Sequence, residues 1–565
     1  MSAIAKAESA AESRNARWAA LALFVLALGL RLLHLREIGI HDPFYEIPSV
    51  DGAIYDAWAR EILAGDWKGE GVLFLGPLYP IFLAIVYAVF GESLAALKGI
   101  QALLGAFTCV LVWGLARELF DHRVAALSGL LAACHRMLIF YGGTVMIVNL
   151  QVPLVVGLVW ALVRTIRRPH VAGFALCGLL LGLSALARQT VLLVAPLVVL
   201  WIAFGLGNEV PVASRWRFAA AFGAMIALLI LPFTIRNYVV GGDLVLLNST
   251  GGANFYMGNQ RRADGTWQVP SLGQRTRVDN PNEMRRAFAR AAEQAEGRPL
   301  KPSEISSHWI GRGLDEIAAD PVRWIGLELR KLGLFVNAYE VWNNRSVDVS
   351  KHFSWLLRLP LVSFGLIAPL GLLGLVVTRD RWRRFVPVYG AIGAYLASAL
   401  LFFVLSRYRL PATVLFVPFA AAALVTGLDR LRQRDTRFLA IHTVLGTLFA
   451  IIVHWPLASE NRMHMAYYNL GNKYRELERW DEAVAAYRES LAANPMAIST
   501  HNNMAVALEF AGDDEEAIEA WKVVGVMAMR AGDQMRMDRA ARHLRDLGIL
   551  IPADSSPSGT QPPPP

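Results

Sequence analysis

The sequence predicts an all-α integral membrane protein of about eleven transmembrane helices, with a mixed outer loop region and a C-terminal helical unit. Three observations predict it. The chain of 565 residues is 55% apolar, with a mean hydropathy of +0.39, a level soluble proteins rarely reach over such a length. Apolar runs of roughly 17–25 residues recur along it, each long enough to cross a hydrocarbon core. Basic residues gather in alternate loops between those runs, as cytoplasmic loops do. The net charge of +9 therefore points to the inner membrane face and away from nucleic acid. Cys109, Cys134 and Cys177 all lie in apolar runs. No CxxC or Cys/His spacing marks a metal site, and no disulfide framework follows.

Residues 1–17 read as a cytoplasmic segment. Arg14 and Arg17 precede an apolar run from Trp18 to Leu30, and Arg31, His34 and Arg36 come next with no small-residue cleavage site, so an uncleaved first helix, spanning near Trp18–Leu35, is expected. The further runs are Leu94–Leu119, Val124–Tyr141, Thr144–Val163, Val171–Ala187, Val191–Gly207, Phe218–Ile235, Leu356–Val377, Phe385–Leu405, Leu410–Leu428 and Phe438–Pro456. "GPLYPIFLAIVYAVF" (Gly76–Phe90) is short and opens around two prolines. It is read as not fully crossing, because only then do Arg117, Arg123, Arg164, Arg167, Arg168, Arg215, Arg217 and the basic loops 379–384 and 430–437 fall inside. The short opposite loops hold only Arg188, Arg407 and Arg409. This parity puts Pro48–Leu63, the long loop Val239–Trp355 and the C-terminus outside, in a plasma (inner) membrane. The expected domains are a transmembrane module at 18–238 with a first outer loop at 37–93, a large periplasmic loop at 239–355, transmembrane helices at 356–456, a repeat unit at 464–548 and a disordered tail at 549–565.

In the long loop, "LNSTGGANFYMGNQRRADGTW" is rich in turn-forming Gly and Asn. A helix is predicted over Asn282–Gly297. Another, over Asp320–Glu340, carries Trp324, Leu327, Leu334 and Phe335 on an apolar stripe and is expected to lie along the membrane surface. From His464 the character changes. Ala483 and Ala517 stand 34 residues apart, as do Tyr487 and Trp521, and Leu470, Gly471, Tyr474 and Pro495 complete the pattern of a tetratricopeptide repeat. The second copy is weaker, with Ala505 in place of the glycine, and a third helix over Arg530–Leu547 is expected to cap the stack. Two repeats are marginal alone, and the unit offers a surface for a protein partner. "ADSSPSGTQPPPP" reads as the disordered tail.

Outward arginines are the informative ones. Arg188 ("ALARQT"), Arg236 ("PFTIRN"), Arg407 and Arg409 ("LSRYRLP") each close the outer end of a run. Snorkelling to headgroups explains any one of them; their recurrence at one end favours a shared anionic ligand such as a lipid phosphate. Asp51, in "PSVDGAIYDAWAREIL", lies on the same side. Its structural explanation is a first-turn carboxylate in a helix capped by Ser49; Tyr55 projects from the same face. Asp56, Glu61 and Asp66 read as solvated, Trp58 and Trp67 as interface anchors, and His135 and His454 as packed, hydrogen-bonded histidines.

The order of an early outer-loop aspartate, "GPLYP", "ALARQT", "RN" with Gly258–Asn259 downstream, and "RYRLP" before a late run resembles the GT-C glycosyltransferases. It is most similar to the branch of the protein O-mannosyltransferase and aminoarabinose-transferase families (glycosyltransferase family 39), some of which carry C-terminal tetratricopeptide repeats. The resemblance implies a GT-C membrane body that moves a hexosyl or pentosyl group from a polyprenyl-phosphate-linked donor to a hydroxyl of a protein or of a cell-envelope glycan or lipid on the periplasmic face. Asp51 would be the general base. Arg188, Arg407 and Arg409, with Lys331 behind them, would stabilise the departing phosphate; Asn259 and Glu340 would orient the sugar or the loop; Tyr55, Arg236 and Tyr408 complete the substrate-binding candidates. The chain departs from the pattern in having Gly52 after Asp51, and Asn149 and Gln151 where relatives carry an acidic residue. No metal ligand set is predicted, although a loosely held divalent cation near Asp51 is compatible with the sequence. Two other readings stay open: a non-catalytic scaffold that binds a partner through its repeats, and a polyprenyl-linked glycan polymerase or transporter.

Overall fold

The computed structural model describes residues 3–48, 50–207, 209–270, 272, 281–457 and 463–549, with side chains from residue 14 onward. Ser49, the expected cap, and the expected tail from residue 550 lie outside the described residues. The chain divides into two compact units, Met1–Ala458 and Ser459–Pro565. Both are helical; among the described residues the only extended pairings are two isolated parallel bridges, His135 with Val362 and Thr266 with Val404.

The first unit opens with α1 (Ala3–His41), α2 (Asp51–Leu63), α3 (Leu78–Phe90), α4 (Leu94–Leu119), α5 (His122–Ala133), α6 (Arg136–Gly142), α7 (Val148–Arg167) and α8 (Val171–Ala187). Ser93 starts α4 by accepting from Ala96 N, and Asp121 starts α5 by accepting from Val124 N. After a 3-10 turn come α9 (Val194–Leu200), α10 (Val212–Gly241), and the loop helices α11 (Gly251–Asn259), α12 (Pro281–Glu296), α13 (Pro302–Ala319), α14 (Pro321–Val336), α15 (Val347–Ser350) and α16 (Trp355–Arg358). α17 (Phe364–Val377), α18 (Val386–Leu401), α19 (Ser406–Arg432) and α20 (Thr436–Val453) close the unit. Among the described residues seven helices are long and apolar enough to cross a membrane, and four shorter apolar helices, at 78–90, 171–187, 189–205 and 364–377, accompany them. This is a membrane protein.

Helix α19 is the central post: from Leu410 to Ala423 its side chains are all buried. Helices α10 and α20 bury few of their side chains, as lipid-facing helices do. Small residues let neighbours touch: a Cβ on Gly178 of α8 would lie 2.2 Å from Phe222 O of α10, and one on Gly374 of α17 2.0 Å from Phe419 O of α19.

Two expectations about elements are corrected. The run Val124–Tyr141 is not one helix but α5 and α6, broken at Cys134–His135. The break is held by another stretch of chain: Arg136 N donates to Val362 O (2.9 Å) and Val362 N to Cys134 O (3.1 Å). Hydropathy registers the apolar side chains on either side of such a break and not the distant backbone that satisfies it. The stripe assigned to the membrane surface on α14 also faces inward. Leu327, Leu334 and Phe335 are buried, and Trp324 Nε1 donates to Asn259 Oδ1 (3.1 Å). Val322, Ile325, Leu329 and Leu332 are the exposed apolar residues of that helix, a second face at helical spacing.

In the second unit, α21 (Met463–Glu476), α22 (Trp480–Ala493), α23 (Ile498–Ala511), α24 (Asp514–Ala531) and α25 (Gln534–Asp546) follow the tetratricopeptide period. Ala483 and Ala517 are fully buried between paired helices, and so are Tyr487 and Trp521. A Cβ on Gly471 would stand 2.5 Å from the Tyr487 ring, which explains the glycine. The capping helix begins at Gln534 and not at Arg530, because Gly532 takes a left-handed conformation and Asp533 restarts the chain by accepting from Arg536 N.

Candidate active site

Helix α2 begins at Asp51, after Val50 at φ +53°, a conformation that costs a β-branched residue about 1–3 kcal/mol. Gly52 allows close approach to the turn before α7, since a Cβ there would lie 3.0 Å from Val145 O. Asp51 Oδ2 then accepts a hydrogen bond from Arg407 Nη1, an ion pair whose side chains are only 14% and 8% exposed. Among the described residues Asp51 Oδ1 has no hydrogen-bond donor. Arg407 Nη1 also meets Met146 Sδ (3.4 Å), and Nη2 reaches the Tyr408 hydroxyl (3.4 Å). Two guanidiniums share the Tyr408 ring: Arg188 Cζ lies 3.0 Å from its centroid and Arg407 Cζ 5.0 Å. Two cations against one ring, Arg407 buried and Arg188 half-buried, favour an anion between or beside them. Tyr55 is buried one turn along α2, edge-on to Tyr79 with centroids 5.1 Å apart. Burial, and then the Asp51 charge, push its hydroxyl well above the usual tyrosine value, so it stays a neutral phenol.

Asp51, Tyr55, Arg188, Arg407 and Tyr408 are thus brought together; the other candidates have their own partners. Arg236 Nε donates to Lys68 O (2.7 Å), and Nη1 bonds Gly71 O, so it clamps the loop between α2 and α3. Arg409 donates to the carbonyls of Leu334 (2.8 Å), Asn337 (2.8 Å) and Tyr339 (2.8 Å) and pairs with Glu340 Oε2 (3.1 Å). Asn259 donates to Phe255 O and Leu401 O (2.9 Å each). Lys331, fully buried, donates to Asn259 Oδ1 (3.2 Å), Glu328 Oε1 (2.7 Å) and Leu400 O (2.7 Å). Burial pulls the Lys331 pKa down against the pull of Glu328. Asn149 Nδ2 holds the turn 141–146 by donating to Tyr141 O (2.9 Å) and Thr144 O (3.0 Å), and Gln151 Nε2 donates to Tyr395 (2.9 Å). His135 is buried, while His454 bonds Ala450 O (3.0 Å) at an exposed helix end.

An apolar cavity of about 600 Å³ runs between α3, α4, α7 and α8, from Leu78, Phe82 and Leu150 to Trp160 and Arg164. From Leu150 to Arg164 it follows α7 for about 20 Å. Its Leu150 end belongs to the cluster that holds Tyr55 and Tyr79, with Leu78 and Leu154 packed against it, so the groove ends beside α2. Among the described residues no group of three His, Cys, Asp or Glu side chains could hold a metal ion.

A second polar cluster was not among the sequence candidates. Arg345 pairs with the fully buried Asp42, Lys98 Nζ bonds Tyr45 O and sits 3.5 Å from the Tyr45 ring centroid, and His34 and Ser354 link to Glu37. The only signal for Lys98 was its place as a lone cation in "LAALKGIQALL"; nothing local marked Arg345.

Residues 75–235 match the family described as dolichyl-phosphate-mannose-protein mannosyltransferase, and residues 464–496 match the tetratricopeptide repeat. No curated protein matches the chain. Among solved structures, the chain is similar to the oligosaccharyltransferase AglB of Archaeoglobus fulgidus in complex with an inhibitory peptide and a dolichol-phosphate, at 16% identity and a TM-score of 0.42, covering 82% of this chain and 59% of that one. It is also similar to ArnT of Cupriavidus metallidurans bound to undecaprenyl phosphate, at 17% identity and a TM-score of 0.34, covering 73% of this chain and 80% of that one. The chain thus spans 59% of the length of the archaeal enzyme, and at these scores the likeness says nothing of substrate. Residues 75–235 carry a domain of the dolichyl-phosphate-mannose-protein mannosyltransferase type, a glycosyltransferase family, joined in one chain to a tetratricopeptide repeat at residues 464–496.

Proposed function

We propose that the chain is a membrane glycosyltransferase that moves a sugar from a polyprenyl-phosphate-linked donor to a hydroxyl acceptor on the periplasmic face, with Asp51 as general base. The observation that carries the reading is a half-buried carboxylate, paired on one oxygen and open on the other, beside two arginines at the end of an apolar groove. The isoprenoid chain lies in the groove. Its phosphate meets Arg188 and Arg407. The acceptor hydroxyl gives its proton to Asp51 Oδ1 as its oxygen bonds to the anomeric carbon, and the bond from that carbon to the phosphate oxygen breaks. The leaving phosphate gathers charge where guanidiniums already stand, so little reorganisation is needed. Arg407 fixes the direction of the Asp51 carboxylate. The repeats and the active site lie on the outer side, where the positive-inside pattern puts them, and the repeats present a surface for a protein acceptor or partner.

The test is transfer by the full chain in liposomes, offered a panel of polyprenyl-phosphate sugars and hydroxyl acceptors. Asp51→Asn is expected to lower turnover by about 10²–10⁴-fold, the contribution of a positioned base, while Asp56→Asn keeps it. Undiminished transfer by Asp51→Asn, with the same product, ends the proposal and leaves the Asp51–Arg407 pair as a clip of the fold, as the scaffold reading requires.

A further inference from the structure

A second cationic pocket lies on the other flank of the Asp51–Arg407 pair. Its lining includes Gly52, Lys98, Thr144, Asn344, Arg345 and Arg407. The apolar groove shares none of these residues, and Arg188 belongs to neither lining. No carboxylate lines the pocket, although three cations do.

Two of those cations have counter-ions, Arg345 in Asp42 and Arg407 in Asp51. Lys98 makes no ion pair of its own, the carboxylates of Asp42 and Glu46 acting on it only from a distance: it is 1% exposed, and among the described residues its ammonium meets directly only a carbonyl and the Tyr45 ring. A buried ammonium without a direct anionic partner is costly, and an anion in the pocket would offset that cost. The donors are also incompletely used. Arg345 bonds Asp42 and Ser350 through Nη2 alone, with its guanidinium 4.8 Å from the Phe44 centroid, so Nε and Nη1 have no acceptor among the described residues. Asn344 is 7% exposed, and its Nδ2 has no partner among the described residues. An ammonium, half of a guanidinium fork and an amide N–H around one small cavity match the three-oxygen face of a phosphate group.

We infer that Lys98, Arg345 and Asn344 form a phosphate-binding pocket, separate from the Arg188–Tyr408 stack, that takes a phosphate group carried by a lipid headgroup or free in solution. The pocket deepens the transferase reading: it rests on that reading for its meaning, as the seat of a second anionic group next to the base. Its existence does not need transfer to occur.

The experiment measures binding to the purified full chain in nanodiscs. The probes are inorganic phosphate, added to phosphatidylcholine discs, and phosphatidic acid, incorporated into them, each read by native mass spectrometry and by the thermal unfolding midpoint. Stabilisation by inorganic phosphate identifies the free anion as ligand; retention of phosphatidic acid without a phosphate effect identifies a headgroup. In either case Lys98→Gln and Arg345→Gln should each weaken binding by about tenfold or more, the scale of one charge-assisted contact, and Lys98→Arg should restore it. Because Lys98→Gln also removes the bond to Tyr45 O, Arg345→Gln serves as the variant that leaves that bond intact. Binding of neither probe, or binding unchanged in both glutamine variants, overturns the pocket. A chain that binds phosphate through these residues and never transfers a sugar overturns the transferase proposal and leaves the pocket standing.

Discussion

Removing either partner of the Asp51–Arg407 pair strands the other, and the cost can be worked from the geometry. The side chains are 14% and 8% exposed. Two unit charges at about 3 Å in an effective dielectric of about 20 attract by about 5 kcal/mol before desolvation is counted. Breaking a buried pair by deleting one charge costs about 3–5 kcal/mol, because the survivor is left uncompensated. Among the described residues Arg407 already has a buried Nε without a partner, so Asp51→Asn and Arg407→Gln are each expected to cost about 3 kcal/mol. The double variant removes both charges and should regain about 2–3 kcal/mol of the summed loss as a coupling energy. The assay is urea unfolding of the three variants and wild type in detergent, followed by tryptophan fluorescence. Transfer is measured alongside and should stay absent in the double variant despite its recovered stability. Strict additivity of the two single losses, or no loss in either, would refute the argument, since no pair would then exist to be broken.

Three further outcomes are expected. Lys331→Met should destabilise the fold by about 3 kcal/mol through its stranded acceptors. Burial already raises the Glu328 pKa while Lys331 opposes it, so without the lysine the folded value rises further. That variant's unfolding midpoint should therefore be best below the unfolded carboxylate value and worsen as pH climbs through the folded one; a pH-independent loss would contradict this. Gly157 lines the apolar groove with nothing closer than 4.0 Å to its added Cβ, so Gly157→Phe should raise KM for a long-chain donor about tenfold and spare a water-soluble short-chain one, as measured by initial rates. Gly471→Ala forces a methyl against the Tyr487 ring, at 2.5 Å before relaxation. It should cost the repeat unit about 1–3 kcal/mol, read as faster limited proteolysis within 463–546.

What the sequence made legible followed from periodicity. The 34-residue spacing of Ala483 with Ala517 and of Tyr487 with Trp521 is a packing constraint repeated twice, so the repeat could be read before any coordinates. Asp51 and Arg407, 356 positions apart, were each suspect from their place at the outer ends of runs, but nothing in the chain said that they pair. Arg409 and Arg236 looked like Arg407 in sequence and differ only in what surrounds them: carbonyls of Leu334, Asn337 and Tyr339 for one, of Lys68 and Gly71 for the other. A guanidinium recognises a carbonyl fork and a phosphate with the same N–H groups, so residue type alone cannot separate them. Helix α14 failed for a related reason, since it has two apolar faces and only packing decides which meets lipid.

The break at Cys134–His135 has a consequence for the order in which the molecule is made. Its backbone partner, Val362, leaves the ribosome more than two hundred residues later. In the interval Cys134 O and Arg136 N have no such neighbour, and hydrocarbon offers no water to replace it. An unbroken helix through 122–142 is the nascent chain's only self-sufficient state, and the bend that delivers Tyr141, Thr144 and Met146 to the cavity is a late event. A ribosome stalled before residue 362 would therefore hold an inserted but unfinished body, straight where the mature one is bent.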